Sequence, residues 1–195
     1  MDLASEQVPI TLAHVHRFTL EEYHRLIESG GFDEDMRVEL IEGLVVDMSP
    51  KSREHEQAVE WLNRWLVIAC ERTGLRVRPG SALTFDRSEP EPDFALVRSS
   101  APAPYHPATA ALVVEIAVSS LRYDLVTKSV VYARARIPEY WVVDVDGRRV
   151  VCHRHPRADG SYRDVIEVAH GGRLVAASVE LPPLDVGELM AAAYA

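Results

Sequence analysis

The stretch LVVEIAVSSLRYDLVTKSVVYARA, residues 112–135, decides the fold. From Leu112 to Val118 it is apolar on both faces of a strand, the pattern of a central strand covered on two sides rather than one open to water. From Ser119 or Ser120, either of which can cap a helix, Leu121, Leu125, Val126, Val130 and Ala133 run along a helix that ends near Pro138. One residue breaks the apolar run. Glu115 places a carboxyl inside the central strand, and its role has to be explained together with the fold.

Working outward, RFTLEEYHRLIESGG predicts a helix at about 19–29, with Thr19 as N-cap, Glu22 at the capping-box position and Gly30-Gly31 as the stop. MRVELIEGLVVDMSP reads as a hairpin turning around Glu42-Gly43 and ended by Pro50. SREHEQAVEWLNRWLVIACERTG has apolar residues at Ala58, Val59, Leu62, Trp65, Leu66 and Ala69, the spacing of a long amphipathic helix closed by Gly74. Short strands are expected in LRVRPG, ALTFD and EPEPDFALV, and a proline-rich linker, RSSAPAPYHPATA, leads to the central strand. Downstream, EYWVVDVDGRRVVCHRH predicts two strands around an Asp146-Gly147 turn, with Tyr140 and Trp141 in the core and Asp144 ending the first strand. Hairpin-like β segments to about residue 182 and a final helix, VGELMAAAYA, complete the chain. Helices alternating with strands around one apolar strand imply a mixed sheet with helices on its faces, class α/β (α+β), in a single domain spanning 1–195.

Composition narrows the function classes. A formal net charge of -9 argues against a protein that grips nucleic acid by a broad basic surface, but not against an enzyme that collects divalent cations on carboxylates. No run approaches eighteen apolar residues, and the start lacks a secretory signal pattern, so no membrane association and a cytoplasmic address are expected. Cys70 and Cys152 lie far apart in apolar contexts and read as buried thiols.

Three charged positions violate local expectation: Asp93 opens an apolar strand after Pro92, Glu115 interrupts another, and Lys128 lies on the following helix, able to reach back over the strand end. Removing one member of a buried ion pair costs about 3–5 kcal/mol, so a folded chain keeps buried acids only where something neutralises them. Two neutralisers fit. One is an ion pair with Lys128 or an arginine; the other is a hard divalent cation on two carboxylates and water, which suits Mg²⁺.

Pro92-Asp93 followed by a strand bearing Glu115 resembles the PD-(D/E)XK nuclease superfamily. The ordered set RVELIEGLVV, EPDFALV, LVVEIAVSSLRYDLVTK and YARARIPEYWVVD is similar to its Uma-type branch, a bacterial group of restriction-endonuclease-like proteins, over about residues 17–187. The resemblance implies a restriction-endonuclease-like mixed central sheet flanked by helices, with an N-terminal helix and hairpin as an extension. It also implies a Mg²⁺-dependent DNA endonuclease, with Mn²⁺ as a substitute and a homodimer as the assembly that cuts both strands. Asp93 and Glu115 match the two metal-binding acids, with the Ile116 backbone carbonyl as a further ligand. The usual strand lysine is replaced by Ala117, and Lys128 fits the position to which the branch moves it. Asp124, four residues before Lys128, would orient the lysine or assist the metal, with a surface ion pair as its plainer reading. Glu39 and His55 match an acidic hairpin and a recurrent histidine, as substrate contacts or ligand support, whereas Glu42 reads as a solvated turn acid. The branch's Ser-Pro-Ser after the acid is AVSSLR here, so the loop beside the site differs.

The rival to catalysis is a nucleic-acid-binding or regulatory module that keeps the nuclease fold without cleaving. A zinc site built from His153 and His155, or from His14 and His16, is a third possibility, because residues two apart on a strand share a face.

Overall fold

The computed structural model describes residues 14–33, 35–99 and 106–195, so part of the proline-rich linker lies outside the described residues. The first helix, α1 (Leu20–Glu28), opens with the expected capping box: Glu22 N donates to Thr19 Oγ1 and Thr19 N to Glu22 Oε2. The hairpin β1 (Val38–Ile41) and β2 (Leu44–Asp47) turns through two residues, Glu42 and Gly43, both at positive φ (50° and 79°), the geometry that matches the twist of paired strands. Helix α2 (Arg53–Cys70) starts at the Ser52 cap.

A six-stranded sheet follows, in the order β3-β4-β5-β6-β7-β8. Its strands are β3 (Leu75–Pro79), β4 (Phe94–Arg98), β5 (Leu112–Ala117), β6 (Glu139–Asp144), β7 (Arg149–Pro156) and β8 (Tyr162–Ala169). All pairs are antiparallel except β5 with β6, which is parallel. That pair needs a crossover, and the chain supplies it as the helical run after β5: α3 (Leu121–Tyr123), a π-helical turn (Asp124–Lys128) and α4 (Ser129–Arg134). A small pair, β9 (Arg173–Leu174) with β10 (Leu184–Asp185), precedes α5 (Val186–Ala193).

The mixed sheet covered on both faces is as expected, and the alternation of β5 divides the core. Leu112, Val114 and Ile116 pack with α2 and α5, through Leu62, Leu66 and Leu189. Val113 and Ala117 pack on the other face with Tyr132, Ala133, Ile137 and Tyr140. Glu115 shares the parity of Val113 and Ala117, so it faces the crossover helices.

Two expectations need correction. ALTFD pairs with no strand, because its backbone bonds go to loops: Leu83 N donates to Pro90 O, Thr84 N to Pro107 O and Phe85 N to Ser88 O. The helix after β5 is not continuous α-helix, since the Asp124–Lys128 turn is wound one residue wider and Ser129 N donates to Asp124 O. The carbonyls this loosens are taken by the Ser129 hydroxyl, 2.7 Å from Leu125 O, while Asp124 O also accepts from Tyr140. Such wide turns occur frequently at functional sites.

One buried acid is structural. Glu139, fully buried at the start of β6, accepts from Trp141 Nε1, Cys152 Sγ, Arg154 Nε, Ala177 N and Ser178 N, and so fastens the segment before β10 to the sheet. Burial alone would raise its pKa, but these donors hold the carboxyl below its ordinary value. The histidine pair of β7 is separated. His153 is buried between the rings of Tyr140 and Tyr162, whereas His155 is exposed and pairs with Asp164 at 2.7 Å. His16 lies 3.8 Å from Glu22, and among the described residues neither histidine pair belongs to a group of three or more convergent metal-ligating side chains.

Glu139→Ala strands five donors, the Arg154 guanidinium among them, and is expected to cost about 3–5 kcal/mol in urea unfolding. Burial lowers the pKa of His153. The unfolded chain therefore takes up a proton at this position below about pH 6.5, while the folded chain resists it, and stability falls with falling pH. His153→Phe is expected to shrink the loss of urea midpoint between pH 7.5 and 5.5; an unchanged loss would remove His153 from the acid response.

Candidate active site

The end of β5 opens on a cleft of about 160 Å³ lined by Glu39, His55, Asp93, Glu115, Asp124 and Lys128, among others. Every charged residue singled out from the sequence for this chemistry lines it, although they come from five segments. Phe94 faces Val114 across the antiparallel β4–β5 pair, so Asp93, one step before β4, lies opposite Glu115 with the same parity. Two bonds fix the juxtaposition: Asp93 N donates to Glu115 Oε2 (3.3 Å), and Ile116 N donates to Asp93 Oδ2 (2.8 Å). His55, in the first turn of α2, reaches round the strand end and places Nε2 3.2 Å from the same Asp93 oxygen.

From the other side the crossover helices press down on Glu115. Lys128 Nζ lies 2.8 Å from Glu115 Oε1, and Tyr132, four residues on and on the same helical face, donates its hydroxyl to that oxygen at 2.8 Å. Lys128 also reaches Glu39 Oε2 at 3.2 Å, so the hairpin acid is brought to the site by the same cation. Glu39 is itself held by Glu91 N and by the Tyr123 hydroxyl, both at 3.2 Å. Asp124 is buried and accepts from Ser120 Oγ at 2.6 Å, which excludes its reading as a surface partner. Glu42 is not at the site. It forms a half-exposed pair with Arg134, as a turn acid would.

The electrostatics follow from the inventory. Six carboxyl groups, Glu39, Asp47, Glu91, Asp93, Glu115 and Asp124, line the cleft against three cations, Arg37, Lys51 and Lys128, with His55 also on the lining. Burial pushes the Glu115 carboxyl well above its ordinary value; Lys128 opposes this, and Asp124, Asp93 and Glu39 add to it. Asp124 is raised for the same leading reason. Burial works against the Lys128 ammonium, but Glu115, Glu39 and Asp124 outweigh it and keep the group protonated. Lys128 is thus a donor and a fixed positive charge, not a base. The cleft as a whole has more carboxyl groups than cations.

The donor set fits a hard divalent cation. Asp93 and Glu115 offer carboxylate oxygens from adjacent strands, the backbone of Ile116 runs between them along the cleft, and excess negative charge favours a dication. Sequence reasoning missed Tyr123 and Tyr132, the hydroxyl donors that hold Glu39 and Glu115. The spacing of Tyr132 from Lys128 was the available signal; Tyr123 had none. Arg37 and Lys51, at the hairpin and before α2, also line the cleft.

A family model described as "Uma2: Putative restriction endonuclease" matches residues 20–185. No curated protein matches the chain. Among solved structures, the fold is similar to that of a chain from Anabaena variabilis ATCC 29413 described as "a putative nuclease belonging to DUF820", with a TM-score of 0.71, 15% sequence identity, and coverage of 90% of this chain and 99% of that one.

The Glu115–Lys128 pair is the testable core of the geometry. Lys128→Met leaves Glu115 and Glu39 without their cation and is expected to cost about 3–5 kcal/mol in urea unfolding without divalent metal. Glu115→Gln in the same chain should recover part of that loss, because the two effects are coupled. Purely additive losses would show that the pair does not interact.

Proposed function

The chain belongs to the Uma2 family, and from that premise we propose that it is a metal-dependent endonuclease that hydrolyses phosphodiester bonds in DNA, using Mg²⁺ or, as a substitute, Mn²⁺. The single observation that supports this reading is the surplus of carboxyl groups over cations in one cleft, with Asp93 and Glu115 adjacent on neighbouring strands. Asp93, Glu115 and the Ile116 carbonyl would hold the ion. When bound, the ion supplies Lewis acidity toward a phosphoryl oxygen and makes a coordinated water more acidic.

The chain's own groups then have separate tasks. Lys128, kept protonated, donates hydrogen bonds toward the attacking water or the charge developing on the phosphate, in a site shielded from bulk solvent. Tyr132 and Lys128 both grip Glu115 Oε1 and fix the rotation of that carboxyl. His55 and the Ile116 amide do the same for Asp93. Glu39 and Asp124 flank the lysine and set its direction. Arg37 and Lys51, on the cleft lining, supply local positive charge for the backbone of a substrate, which the whole-chain charge of -9 does not. A homodimer would present two such clefts, one per strand of a duplex.

Cleavage of plasmid and single-stranded DNA in Mg²⁺ or Mn²⁺ should be lost on chelation and should fall at least about 100-fold in Asp93→Asn and in Lys128→Met, in line with removal of a group that stabilises transition-state charge. His55→Ala, which removes support but no proposed ligand, should lose about 10–100-fold. Equal cleavage by wild type and Asp93→Asn would assign the activity elsewhere. DNA binding by wild type without cleavage in either metal would favour the non-catalytic module, a reading that the net negative charge and the internal neutralisation of Glu115 by Lys128 also support.

A further inference from the structure

Outside the acidic cleft, three side chains converge that the proposed nuclease does not use. His24 lies on α1, Glu89 on the segment leading to Pro90, and His106 on the approach to β5; none of them lines the cleft. Glu89 is buried, with a relative exposure of 5%. His24 Nε2 lies 3.0 Å from both of its carboxylate oxygens, and His106 Nδ1 lies 3.3 Å from Oε2. One donor atom from each residue falls within 4.8 Å of the other two. Thr84 Oγ1 donates to Glu89 Oε2 at 2.6 Å, the hydrogen bond from outside the site that ligating carboxylates commonly receive.

These distances can be compared with a coordination polyhedron. Zinc bonds to imidazole nitrogen and carboxylate oxygen run about 2.0–2.2 Å, so the edges of a tetrahedron around the ion are roughly 3.3–3.5 Å. The edges from Glu89 to His24 and to His106, 3.0 and 3.3 Å, are already close to that size. Two imidazoles with one carboxylate suit borderline metals such as Zn²⁺ rather than Mg²⁺, and three protein ligands leave a fourth position for water. The two histidines remain partly accessible, at 42% and 27% side-chain exposure, so an ion has a route in.

We propose that His24, Glu89 and His106 form a second metal site, selective for Zn²⁺-like ions, which ties α1 and the approach to β5 onto the loop between β3 and β4. The site is separate in chemistry from the acidic cleft: two imidazoles and one carboxylate, where the cleft is dominated by carboxylates. It does not depend on the chain being a nuclease.

The test is a metal titration of the full chain after treatment with chelator. ZnCl₂ should bind at this site with one equivalent and raise the Tm, and CoCl₂ should give the intense visible absorption of a tetrahedral centre. His24→Ala and His106→Ala should each weaken Zn²⁺ binding at least about tenfold and abolish the cobalt bands, since even supporting residues of metal sites contribute that much. Both residues are partly exposed, and circular dichroism checks that the variants remain folded. Asp93→Asn should leave the cobalt spectrum unchanged, which separates this site from the cleft. Absence of a tetrahedral cobalt spectrum, or wild-type Zn²⁺ affinity in both histidine variants, would overturn the proposal and leave a metal-free hydrogen-bonded cluster.

Discussion

The constraint on which the structure depends is a carboxyl group buried in the middle of its central strand. Glu115 is buried save for a small part of its side chain at the cleft, so the elements packed against it must bring donors. The crossover brings Lys128 and Tyr132, and the strand beside it brings the Asp93 amide. Lys128 in turn must satisfy more than one acid, and that demand draws in the β1–β2 hairpin through Glu39. Buried Leu40 and Ile41 and the backbone bonds from Glu89 N to Leu40 O and from Gly43 N to Arg87 O also fasten the hairpin. The charge network adds the link from the hairpin to the crossover lysine.

The wide turn of the crossover follows from the same demand. Asp124 and Lys128 both have to face inward while Tyr132, on the next turn, reaches the same carboxylate oxygen as Lys128. The π-helical turn at Asp124–Lys128 accompanies that arrangement, and the Ser129 and Tyr140 hydroxyls take up the carbonyls it loosens. Glu139 shows the contrasting solution to a buried acid. Five donors converge on it, its pKa falls instead of rising, and no surplus charge is left for a ligand. The two acids, both at the sheet's centre, therefore separate a carboxylate spent on structure from one held for chemistry.

Much of this was legible in the sequence because local signals and the global fold agree. The Thr19 capping box, the Glu42-Gly43 turn and the two-sided apolarity of Leu112–Ala117 each specify a geometry on their own, and the structure has all three. The acids and the lysine stood out because they violated those same patterns. ALTFD failed because its β-like composition says nothing about whether a neighbouring strand is free to pair, and here the backbone partners are loops. The π turn has no propensity signature. Tyr123 and Glu139 were hidden for a different reason: a tyrosine on a helix or an acid at a strand edge is ordinary until the partners from remote segments are seen.

Those remote partners bear on how the molecule comes into being. The acidic cleft draws Glu39 to Tyr123 across 84 positions of sequence, while α2, the residues just before β4, and β5 each contribute one more wall. Contacts of such long range are closed late, after the loop entropy between them has been met. Up to β5 the chain already contains Asp93 and its partner His55, but Glu115 still lacks Lys128 and Tyr132, which come only with the crossover. The cleft is therefore complete only once the crossover has docked on the strands and hairpin that precede it in the chain.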